Sequence, residues 1–404
     1  MNNKQSKKVL IVGGGYAGML AALRLARKTR GTNVQITLVN GLDHFVERIR
    51  LHQLAAGQSL RRLAYDDLLQ NSPVRFFQGW VSAIAPLQQR VTVQTPAGSV
   101  EMPYDYLVYA LGSTIETGKV PGSADYALSL RDEKTTLALQ QKLTRLAQNE
   151  GRVLVAGGGL TGIELATEIR DTYPHLRVTL VTADTFGQQL SRRGQQYLRH
   201  TFARLGIEVN DTYTITQVHP GHVSGHSRPD ISFDLCLWAG SFTVPPLARH
   251  AGLPVNEQGQ ILVDDYLRVQ GWPHIYAIGD AASPAAALDM PVRMACATAS
   301  PMGQYAGSHL AAVIRGEQPK QPFRFRYFGR CISLGRDDGL VQLVTADDTP
   351  VERVITGRLG ARIKEFICRA TIWSFQGEQK LGSLWAWREK RYTGSQSIIE
   401  ETAV

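Results

Sequence analysis

Two glycine-rich strings in the sequence are of the type that binds phosphate groups. They are Gly13-Gly14-Gly15-Tyr16-Ala17-Gly18 and Gly157-Gly158-Gly159-Leu160-Thr161-Gly162. In the G-x-G-x-x-G pattern the first glycine makes a tight turn, the second lets the backbone approach a pyrophosphate, and the third lets a helix pack closely on a strand. The backbone N–H groups that open the helix then face the phosphates. Each string therefore predicts a binding site for one dinucleotide.

The segments around the two strings repeat in the same order, which strengthens both predictions. An apolar run without alternation, typical of a buried parallel strand, precedes each string, and a segment with helical spacing follows it. Each copy closes with another apolar strand that ends in a glycine, at Ala110-Leu111-Gly112 and at Gly240. Segments of alternating polarity, such as residues 90–95, predict short antiparallel meanders. The expected fold class is α/β with two Rossmann-type dinucleotide-binding domains.

The acidic residue that usually binds the ribose hydroxyls is missing from both copies. It normally stands at the end of the second strand, about 20 residues after the glycines. Asn40 and Thr182 occupy those positions, and either side chain can hydrogen-bond a hydroxyl without carrying a charge. Asp43 and Asp184 lie nearby in the sequence and are the alternative ribose ligands.

Composition and charge indicate a globular protein with two or three domains. The chain has 404 residues, of which 43% are apolar and 20% charged, with a net charge of +9. No basic run interleaved with aromatics resembles a nucleic-acid module, so bound dinucleotides and an anionic bilayer are the expected partners of this charge. No apolar stretch reaches the roughly 20 residues of a membrane span, and the first residues do not read as a signal peptide. The expected location is the cytoplasm.

The cysteines do not suggest a metal site or a local redox pair. Cys236, Cys296, Cys331 and Cys368 are widely spaced, without a C-x-x-C or a comparable close pair. We interpret them as buried reduced thiols.

A third apolar strand leads into Gly279-Asp280, which completes a set of four motifs. Residues 9–18, the Ala110-Leu111-Gly112 strand end, residues 157–168 and residues 275–282 together resemble the two-dinucleotide-binding flavoprotein superfamily. Within it, the chain is most similar to the branch of type II NADH dehydrogenases and apoptosis-inducing-factor-like FAD-dependent oxidoreductases. The resemblance extends over residues 8–315.

This resemblance implies one bound FAD and one NADH or NADPH. The first glycine string would hold the FAD pyrophosphate, and Asp280, helped by Gly279, would bind the ribityl or phosphate part of the same cofactor. The second string would hold the nicotinamide dinucleotide. Glu164 matches the acidic residue that the family places near the nicotinamide; a helix carboxylate that is simply stabilised by the dipole is the alternative.

The resemblance also implies domain boundaries. Residues 1–115 would be the first part of an FAD-binding domain, and residues 116–243 an NAD(P)H-binding domain inserted in it. Residues 244–320 would complete the FAD-binding domain, and residues 321–404 would form a C-terminal α+β unit with a tail.

The sequence leaves the choice between NADH and NADPH open. Without a carboxylate at Thr182, nothing at that position repels a 2′-phosphate. Arg192 or Arg193 could pair with such a phosphate, although both fit equally well as solvated charges on a helix.

A quinone-like or small aromatic molecule is the expected electron acceptor. Residues 47–53 contain none of the cysteines that disulfide reductases carry in this region, so transfer to a disulfide is disfavoured. The quinone-site motif Ala-Gln-x-Ala-x-Gln of type II dehydrogenases is matched at Ala299 and Gln304, whereas Ser300 and Met302 depart from it. By this resemblance Gln304 would contact the acceptor.

Arg48, Arg50 and His52 could line the free face of the flavin, and a structural role is the alternative. The expected reaction has two halves on one flavin, hydride uptake from NAD(P)H and then electron transfer to the acceptor. Three alternatives stay open: a small biosynthetic metabolite as acceptor, oxygen or a protein as acceptor, and a slow NAD(P)H-binding flavoprotein that signals to a partner.

The C-terminal tail has the composition of a membrane-interface segment. Residues 364–369 fit an ordinary helix, and residues 372–387 carry aromatics followed by basic residues. Gly377 and Gly382 argue against one continuous amphipathic helix. Peripheral contact with the inner face of the membrane, packing on the chain's own core, and packing against a second copy in a homodimer all stay open.

Overall fold

A computed structural model of the protein describes residues 6–284, 292–318 and 321–380. Two parallel sheets, each built around one glycine string, dominate these residues and confirm the predicted α/β fold class. In chain order the strands are β1 Lys7–Val12, β2 Val34–Asn40, β3 His44–Phe45, β4 Leu63–Ala64, β5 Arg75–Gln78, β6 Trp80–Ala85, β7 Arg90–Thr95, β8 Gly98–Pro103, β9 Tyr106–Tyr109, β10 Thr114–Ile115, β11 Ala127–Leu128, β12 Arg152–Ala156, β13 Arg177–Val181, β14 Glu208–Asn210, β15 Ile215–His219, β16 His222–Gly225, β17 Arg228–Ser232, β18 Leu235–Trp238, β19 Phe242–Thr243, β20 Ile261–Leu262, β21 Arg268–Val269, β22 Trp272–Ala277, β23 Ala282–Ser283, β24 Gly329–Ser333, β25 Gly339–Val344 and β26 Pro350–Thr356.

The helices connect these strands and cover the faces of the sheets. In chain order they are α1 Tyr16–Lys28, α2 Leu51–Ala55, α3 Tyr65–Leu69, α4 Ser123–Tyr126, α5 Glu133–Ala147, α6 Leu160–Thr172, α7 Arg192–Leu205, α8 Leu247–His250, α9 Cys296–Ile314 and α10 Gly357–Lys380. Two short 3₁₀ helices span Arg48–Arg50 and Gly279–Ala281.

The first parallel sheet brings the predicted motifs of the first copy to one edge. Its strand order is β21-β22-β9-β1-β2-β5, and the strands from β22 to β5 run parallel to one another. The carboxyl ends of parallel strands meet at the same edge of a sheet, which is where doubly wound folds bind ligands. Asn40 ends β2, and the first glycine string, Gly112 and Gly279 follow the ends of β1, β9 and β22.

The second parallel sheet repeats the plan with the order β11-β18-β12-β13-β14. The repeat includes an aspartate that hydrogen-bonds the backbone at the start of each central strand. Asp105 accepts a hydrogen bond from the backbone N–H of Lys8 at 2.7 Å, and Asp234 accepts one from the backbone N–H of Arg152 at 2.8 Å. Each sheet is accompanied by a three-stranded antiparallel meander, β6-β7-β8 and β15-β16-β17.

The chain enters and leaves the region of the second sheet through two adjacent segments. β10 pairs with β19 in antiparallel fashion, with Thr114 opposite Thr243 and Ile115 opposite Phe242. The two connections between the sheets therefore lie side by side and hold each other through backbone hydrogen bonds.

The C-terminal part forms an antiparallel sheet, β24-β25-β26, followed by the long helix α10. α10 continues through Gly377 to Lys380, so the expectation that Gly377 interrupts the helix is wrong for this stretch. A helical glycine costs about 1 kcal/mol relative to alanine, and the packing of this helix outweighs that cost. Phe375 contacts Phe45 and Tyr16 there, with ring centroids 5.2 and 6.5 Å apart respectively. The rest of the predicted tail, residues 381–404, lies outside the described residues.

Two helices of the first domain approach each other closely because glycines face the contact. A Cβ at Gly303 of α9 would overlap the carbonyl oxygen of Ala17 in α1, and one at Gly307 would lie 2.7 Å from the carbonyl oxygen of Ala21. This close packing of α9 on α1 places α9 beside the first glycine string. Within the described residues, no helix is both long and apolar enough to cross a bilayer.

Candidate dinucleotide and acceptor site

The first glycine string forms a turn that leaves open space at the start of α1. Gly13 has a φ of +100°, and a Cβ there would overlap the carbonyl oxygen of Ala110. A Cβ at Gly18 would overlap the carbonyl oxygen of Gly13, so this position needs glycine for close packing. A Cβ at Gly15 would meet no described atom within 4 Å. The N–H groups at the helix start thus face a free volume, the arrangement that receives a pyrophosphate.

The second glycine string has the same geometry at the start of α6. Gly157 has a φ of +127°, and a Cβ there would lie 2.5 Å from the carbonyl oxygen of Ala239, the residue before Gly240. A Cβ at Gly162 would overlap the carbonyl oxygen of Gly157. Gly159, like its counterpart in the first turn, has no described atom within 4 Å of a Cβ position. The structure thus contains two equivalent phosphate cradles.

Asn40 shapes the first turn from the end of β2. Its Oδ1 accepts a hydrogen bond from the backbone N–H of Gly14 at 3.0 Å, and its Nδ2 donates to the carbonyl oxygen of Leu42 at 3.1 Å. The hydroxyl of Tyr65 donates to the carbonyl oxygen of Gly14 at 2.8 Å. Both polar ends of Asn40 are therefore engaged by the backbone, with one further donor and acceptor position left for a ribose. Sequence reasoning missed Tyr65.

In the second turn, Thr182 takes the place of Asn40 and lies close to the middle glycine. Thr182 is buried, and a Cβ at Gly158 would lie 2.5 Å from its Oγ1. Among the alternative ribose ligands, Asp43 pairs with His44 at 2.7 Å and with Arg62, whereas Asp184 is exposed.

Asp280 presents a free oxygen beside the first turn. Its Oδ2 accepts a hydrogen bond from the Ser113 hydroxyl at 2.6 Å, and its Oδ1 is buried without a hydrogen-bond partner among the described residues. Burial raises the pKa of Asp280, partly offset by the hydrogen bond from Ser113, by the charge of Arg48 and by the nearby backbone N–H of Ala295. Arg48 itself donates to the carbonyl oxygen of Ser113. A buried, unpaired acceptor next to a phosphate cradle fits the ribityl and phosphate part of the FAD that the sequence predicts.

Glu164 lies in the first turns of α6, close to the second cradle, and is buried. Its Oε1 accepts hydrogen bonds from Lys364 Nζ at 2.7 Å and from the backbone N–H of Ser333 at 3.0 Å. Nδ1 of His52 lies 3.9 Å from its Oε2. Burial by itself raises the pKa of Glu164, but the charge and hydrogen bond of Lys364, together with smaller contributions from His52 and Ser333, outweigh burial and hold this pKa below its ordinary value. The carboxylate is therefore held ionised in a buried position.

Lys364 is a site residue that sequence reasoning missed, because residues 364–369 were interpreted as an ordinary helix. Its Nζ also donates to the carbonyl oxygen of Cys331 at 3.2 Å. Burial by itself lowers the pKa of Lys364, but the charge and hydrogen bond of Glu164, together with contributions from Cys368 and Cys296, outweigh burial and raise this pKa above its ordinary value. The available signal was a lysine one helical turn before Cys368, on the buried face of α10, since lysines are rarely buried without a partner.

All four cysteines are neutral thiols, and Cys296, Cys331 and Cys368 lie near this pair. Cys236 and Cys368 are buried, Cys296 and Cys331 are half-buried, and all four are free. Burial raises the pKa of Cys368 to about 11 and also raises the pKa values of Cys296 and Cys331. His52 is likewise neutral near pH 7, because burial lowers its pKa to about 4.

Gln304 lies in a buried polar network between three helices. Its Nε2 donates to Glu378 Oε1 at 3.3 Å, and Glu378 also pairs with Arg24, whose Nε lies 2.6 Å from Oε2. Arg27 lies 3.5 Å from the same carboxylate. The network joins α9 and α10 to α1. The contact of Gln304 with an acceptor stays a prediction, and the structure adds a second role for its amide.

The arginines considered for a 2′-phosphate begin α7. The backbone N–H groups of Arg192 and Arg193 donate to the carboxylate of Glu352 at 3.0 and 3.1 Å, and both side chains are exposed. Glu352 thus occupies the start of this helix, and only the arginine side chains are left to reach a ligand.

Relatives with known names match most of the chain. A demethylphylloquinone reductase, NdbB, from Synechocystis is 29% identical over 83% of this chain and 86% of its own length. A type II NADH:quinone oxidoreductase from Staphylococcus saprophyticus is 25% identical over 92% of this chain and 96% of its own. The structure of NDH2 from Plasmodium falciparum in complex with NADH superposes with a TM-score of 0.78 at 16% identity, covering 94% of this chain and 99% of that one.

The family profile described as pyridine nucleotide-disulphide oxidoreductase matches residues 7–303, which contain both glycine turns, Glu164 and Asp280. These comparisons confirm the superfamily resemblance that the four sequence motifs indicate. The chain belongs to the pyridine nucleotide-disulphide oxidoreductase family.

Proposed function

We propose that this protein oxidises NADH or NADPH with bound FAD and passes the electrons to a quinone-like acceptor. The single observation that carries the proposal is the pair of equivalent cradles, with Gly15 and Gly159 both open at a helix start. The names of two relatives support the acceptor class, since one is a demethylphylloquinone reductase and another a type II NADH:quinone oxidoreductase.

In this proposal the two cradles hold different dinucleotides. The turn at Gly13 to Gly18 binds the FAD pyrophosphate, and the free Oδ1 of Asp280 accepts a hydrogen bond from the same cofactor. The turn at Gly157 to Gly162 binds NADH or NADPH. Bound FAD supplies the redox chemistry, since it takes a hydride from the nicotinamide and gives electrons to the acceptor. The protein supplies placement and electrostatics.

We assign Glu164 and Lys364 to proton handling at the acceptor. A quinone takes up two protons with its two electrons, so a buried site needs a group that can hold and release a proton. Glu164 Oε1 pairs with Lys364 Nζ at 2.7 Å, whereas His52 Nδ1 lies 3.9 Å from Oε2. Glu164 is ionised at rest, so Oε2 takes up a proton only in transit to the acceptor, and Lys364 compensates the charge when that proton leaves.

A stripe on α10 supports peripheral membrane contact on the cytoplasmic side. Leu359, Phe366 and Trp373 recur every seven residues on one face of α10 and are 58%, 49% and 50% exposed. Arg358 and Arg362 lie beside this stripe in the sequence. Apolar side chains next to arginines are typical of a helix that lies on an anionic bilayer, which would bring the protein to its quinone.

Anaerobic stopped-flow measurement tests the redox proposal. Mixing the purified FAD-loaded protein with NADH or NADPH should bleach the visible flavin band, and a short-chain quinone should restore it rapidly. A flavin that neither nucleotide reduces would refute the hydride-transfer step. Reduced flavin that persists with quinone but reoxidises with a small metabolite, oxygen or a protein would replace the acceptor, and persistence with all of them would favour a signalling flavoprotein.

Vesicle sedimentation tests the membrane contact separately. The wild-type protein should sediment with anionic vesicles and much less with zwitterionic ones. The Phe366→Asp and Trp373→Asp variants should lose this binding, whereas Phe328→Asp, which alters an aromatic residue that is exposed elsewhere, should retain it. Equal binding of all variants would exclude the α10 stripe as the contact surface.

A further inference from the structure

A large exposed indole lies at the edge of the first sheet, where no role has been assigned to it. Trp80 opens β6 and is 64% exposed. Exposure of this much apolar ring at the start of a strand is unfavourable in water. A tryptophan side chain in that position indicates that something apolar covers it.

The position of Trp80 relative to the first cradle follows from the strand order. The cradle follows β1, Asn40 ends β2, and β5 pairs with β2 on the outer side, with Asn40 opposite Gln78. The backbone N–H of Gly79 donates to the carbonyl oxygen of Asn40 at 2.9 Å. Trp80, two residues after the end of β5, therefore lies directly beside the end of β2.

The indole has one covered face. A Cβ built on Gly41 would overlap Trp80 and would be nearly equidistant from Cδ2 and Cε2, the two atoms shared by its rings. These two atoms lie inside the fused ring system, and an atom at the ring edge would be closer to the peripheral atoms. The Cβ position therefore lies above the ring plane, and the backbone of Gly41 covers one face of the indole. The glycine lets the ring lie flat, and the high exposure of Trp80 leaves the opposite face open.

A dinucleotide on the first cradle would extend its adenosine to this place. In a Rossmann-type site the pyrophosphate lies at the helix start after the first strand, and the adenosine ribose reaches the end of the second strand. The flavin half leaves in the other direction, toward β9 and β22, where Asp280 lies. The adenine then lies beyond Asn40, on the side of β5 and Trp80.

We propose that Trp80 is an adenine-binding residue, with the adenine ring of FAD stacked on the open face of its indole. The inference rests on the proposed function in taking FAD as the ligand of the first cradle. Asn40 already gives its two ends to Gly14 and Leu42, so it contributes less to the adenosine than a free carboxylate would. Stacking on an aromatic side chain supplies the missing affinity without a charge.

Ligand titration of the full-length apoprotein tests this assignment. FAD, ADP and FMN are titrated separately into wild type, Trp80→Ala, Trp80→Phe and the control Phe328→Ala, which removes an aromatic ring that is 82% exposed elsewhere. We expect Trp80→Ala to raise the Kd of FAD and of ADP about 5- to 100-fold, the usual range for loss of a base–aromatic stack. Because FMN lacks adenine, its Kd should not change, and Trp80→Phe should stay close to wild type.

The outcomes separate this inference from the proposed function. A wild-type apoprotein that binds no FAD would refute the proposed function itself. If FAD binds and Trp80→Ala leaves its Kd within about twofold of wild type, or weakens FMN equally, the adenine assignment alone is overturned. Should Trp80→Ala fail to fold, a fluorescence comparison of wild type with Trp80→Phe tests the adenine assignment instead. ADP must quench indole fluorescence in wild type and not in Trp80→Phe, and equal quenching in both would overturn the assignment.

Discussion

Lys364 and Glu164, which lie far apart in the sequence, form a buried ion pair of 2.7 Å between α10 and α6. Their side chains are only 14% and 11% exposed. The pair connects the C-terminal unit to the helix that begins at the second glycine turn, and it lies beside His52 from the first copy. The C-terminal helix therefore supplies a charge to a site that the two Rossmann-type copies otherwise build.

Replacing Lys364 by methionine should destabilise the protein strongly. The Lys364→Met change leaves Glu164 buried and without its cation, and losing one partner of a buried pair costs about 3 to 5 kcal/mol. Urea unfolding of the FAD-loaded protein measures the change in the free energy of unfolding. Without the charge of Lys364 the pKa of Glu164 rises, so Glu164 releases a proton less readily. We therefore also expect quinone to reoxidise the flavin more slowly.

The Glu164→Gln and Glu164→Gln/Lys364→Met variants serve as controls for this prediction. Two neutral side chains of similar size leave no unpaired charge, so the double variant should be more stable than Lys364→Met alone. Additive losses of stability would show that the two side chains do not interact and would contradict the buried pair.

The stability of the protein should fall as the pH is lowered from 6.5 toward 4. Burial lowers the pKa of His52 from 6.5 to about 4 and that of His309, near Arg268, to about 4 as well. Between these values the unfolded chain binds a proton at each histidine and the folded chain does not, so acid favours unfolding. Each histidine contributes at most roughly 3 kcal/mol to this loss. Urea unfolding at several pH values measures it.

The variants His52→Gln and His309→Gln test the origin of the acid sensitivity. Each should reduce the slope of stability against pH in this window, and the double variant should reduce it further. A slope that both single variants leave unchanged would mean that neither histidine stays neutral in the folded protein at acid pH.

Two substitutions separate the roles of Gln304. Glu378 is 0% exposed and binds Arg24, Arg27 and Gln304 together. Glu378→Ala should cost about 3 to 5 kcal/mol, because it leaves the buried Arg24 unpaired. Gln304→Ala removes one hydrogen bond to that carboxylate and should cost about 1 kcal/mol. Unfolding measures both losses, and steady-state kinetics gives the KM for quinone.

We expect the KM for quinone to change little in Gln304→Ala, since the amide of Gln304 already binds Glu378 at 3.3 Å. A large rise in KM with unchanged stability would instead support the acceptor contact that the sequence predicts. Gln304→Glu is a useful second variant, because it keeps the size of the side chain and places a second carboxylate beside Glu378.

The sequence predicted the parts of the fold that depend on local pattern. The two glycine strings, the apolar strands and the closing segments predicted both parallel sheets, and Asp105 and Asp234 occupy equivalent positions in them. These features could be recognised because turn geometry and strand burial leave direct traces in residue type and spacing.

Features that depend on contacts between distant segments could not be predicted in the same way. Lys364 looked like an ordinary helix residue, because its partner Glu164 lies far away in sequence. Gly377 looked like a helix breaker, whereas contacts of the neighbouring Phe375 and Glu378 with α1 keep the helix intact. Asn40 stays a predicted ribose ligand, but its additional bond to the N–H of Gly14 could not be predicted, because it forms only once the turn is folded. In each case tertiary contacts outweigh the local preference.

The assignment of the two cradles can be tested with one matched pair of substitutions, Gly15→Ala and Gly159→Ala. A Cβ at either position meets no described atom within 4 Å, and the backbone has a φ of −69° at Gly15 and −71° at Gly159, so alanine fits the folded chain. Each variant should unfold within about 1 kcal/mol of wild type. The added methyl group instead occupies the space into which a pyrophosphate must come.

Gly15→Ala should therefore weaken FAD binding by about tenfold or more, the equivalent of roughly 1.4 kcal/mol, and leave the KM for NADH unchanged in the fraction that retains flavin. Gly159→Ala should retain FAD fully and raise the KM for the nicotinamide dinucleotide by a similar factor. Each variant is the control for the other, because the same atom is added to the same turn in two places. By contrast, Gly162→Ala should destabilise the fold itself, since its Cβ would overlap the carbonyl oxygen of Gly157. If Gly15→Ala raised only the KM for NADH, or Gly159→Ala released FAD, the two dinucleotides would have to exchange cradles.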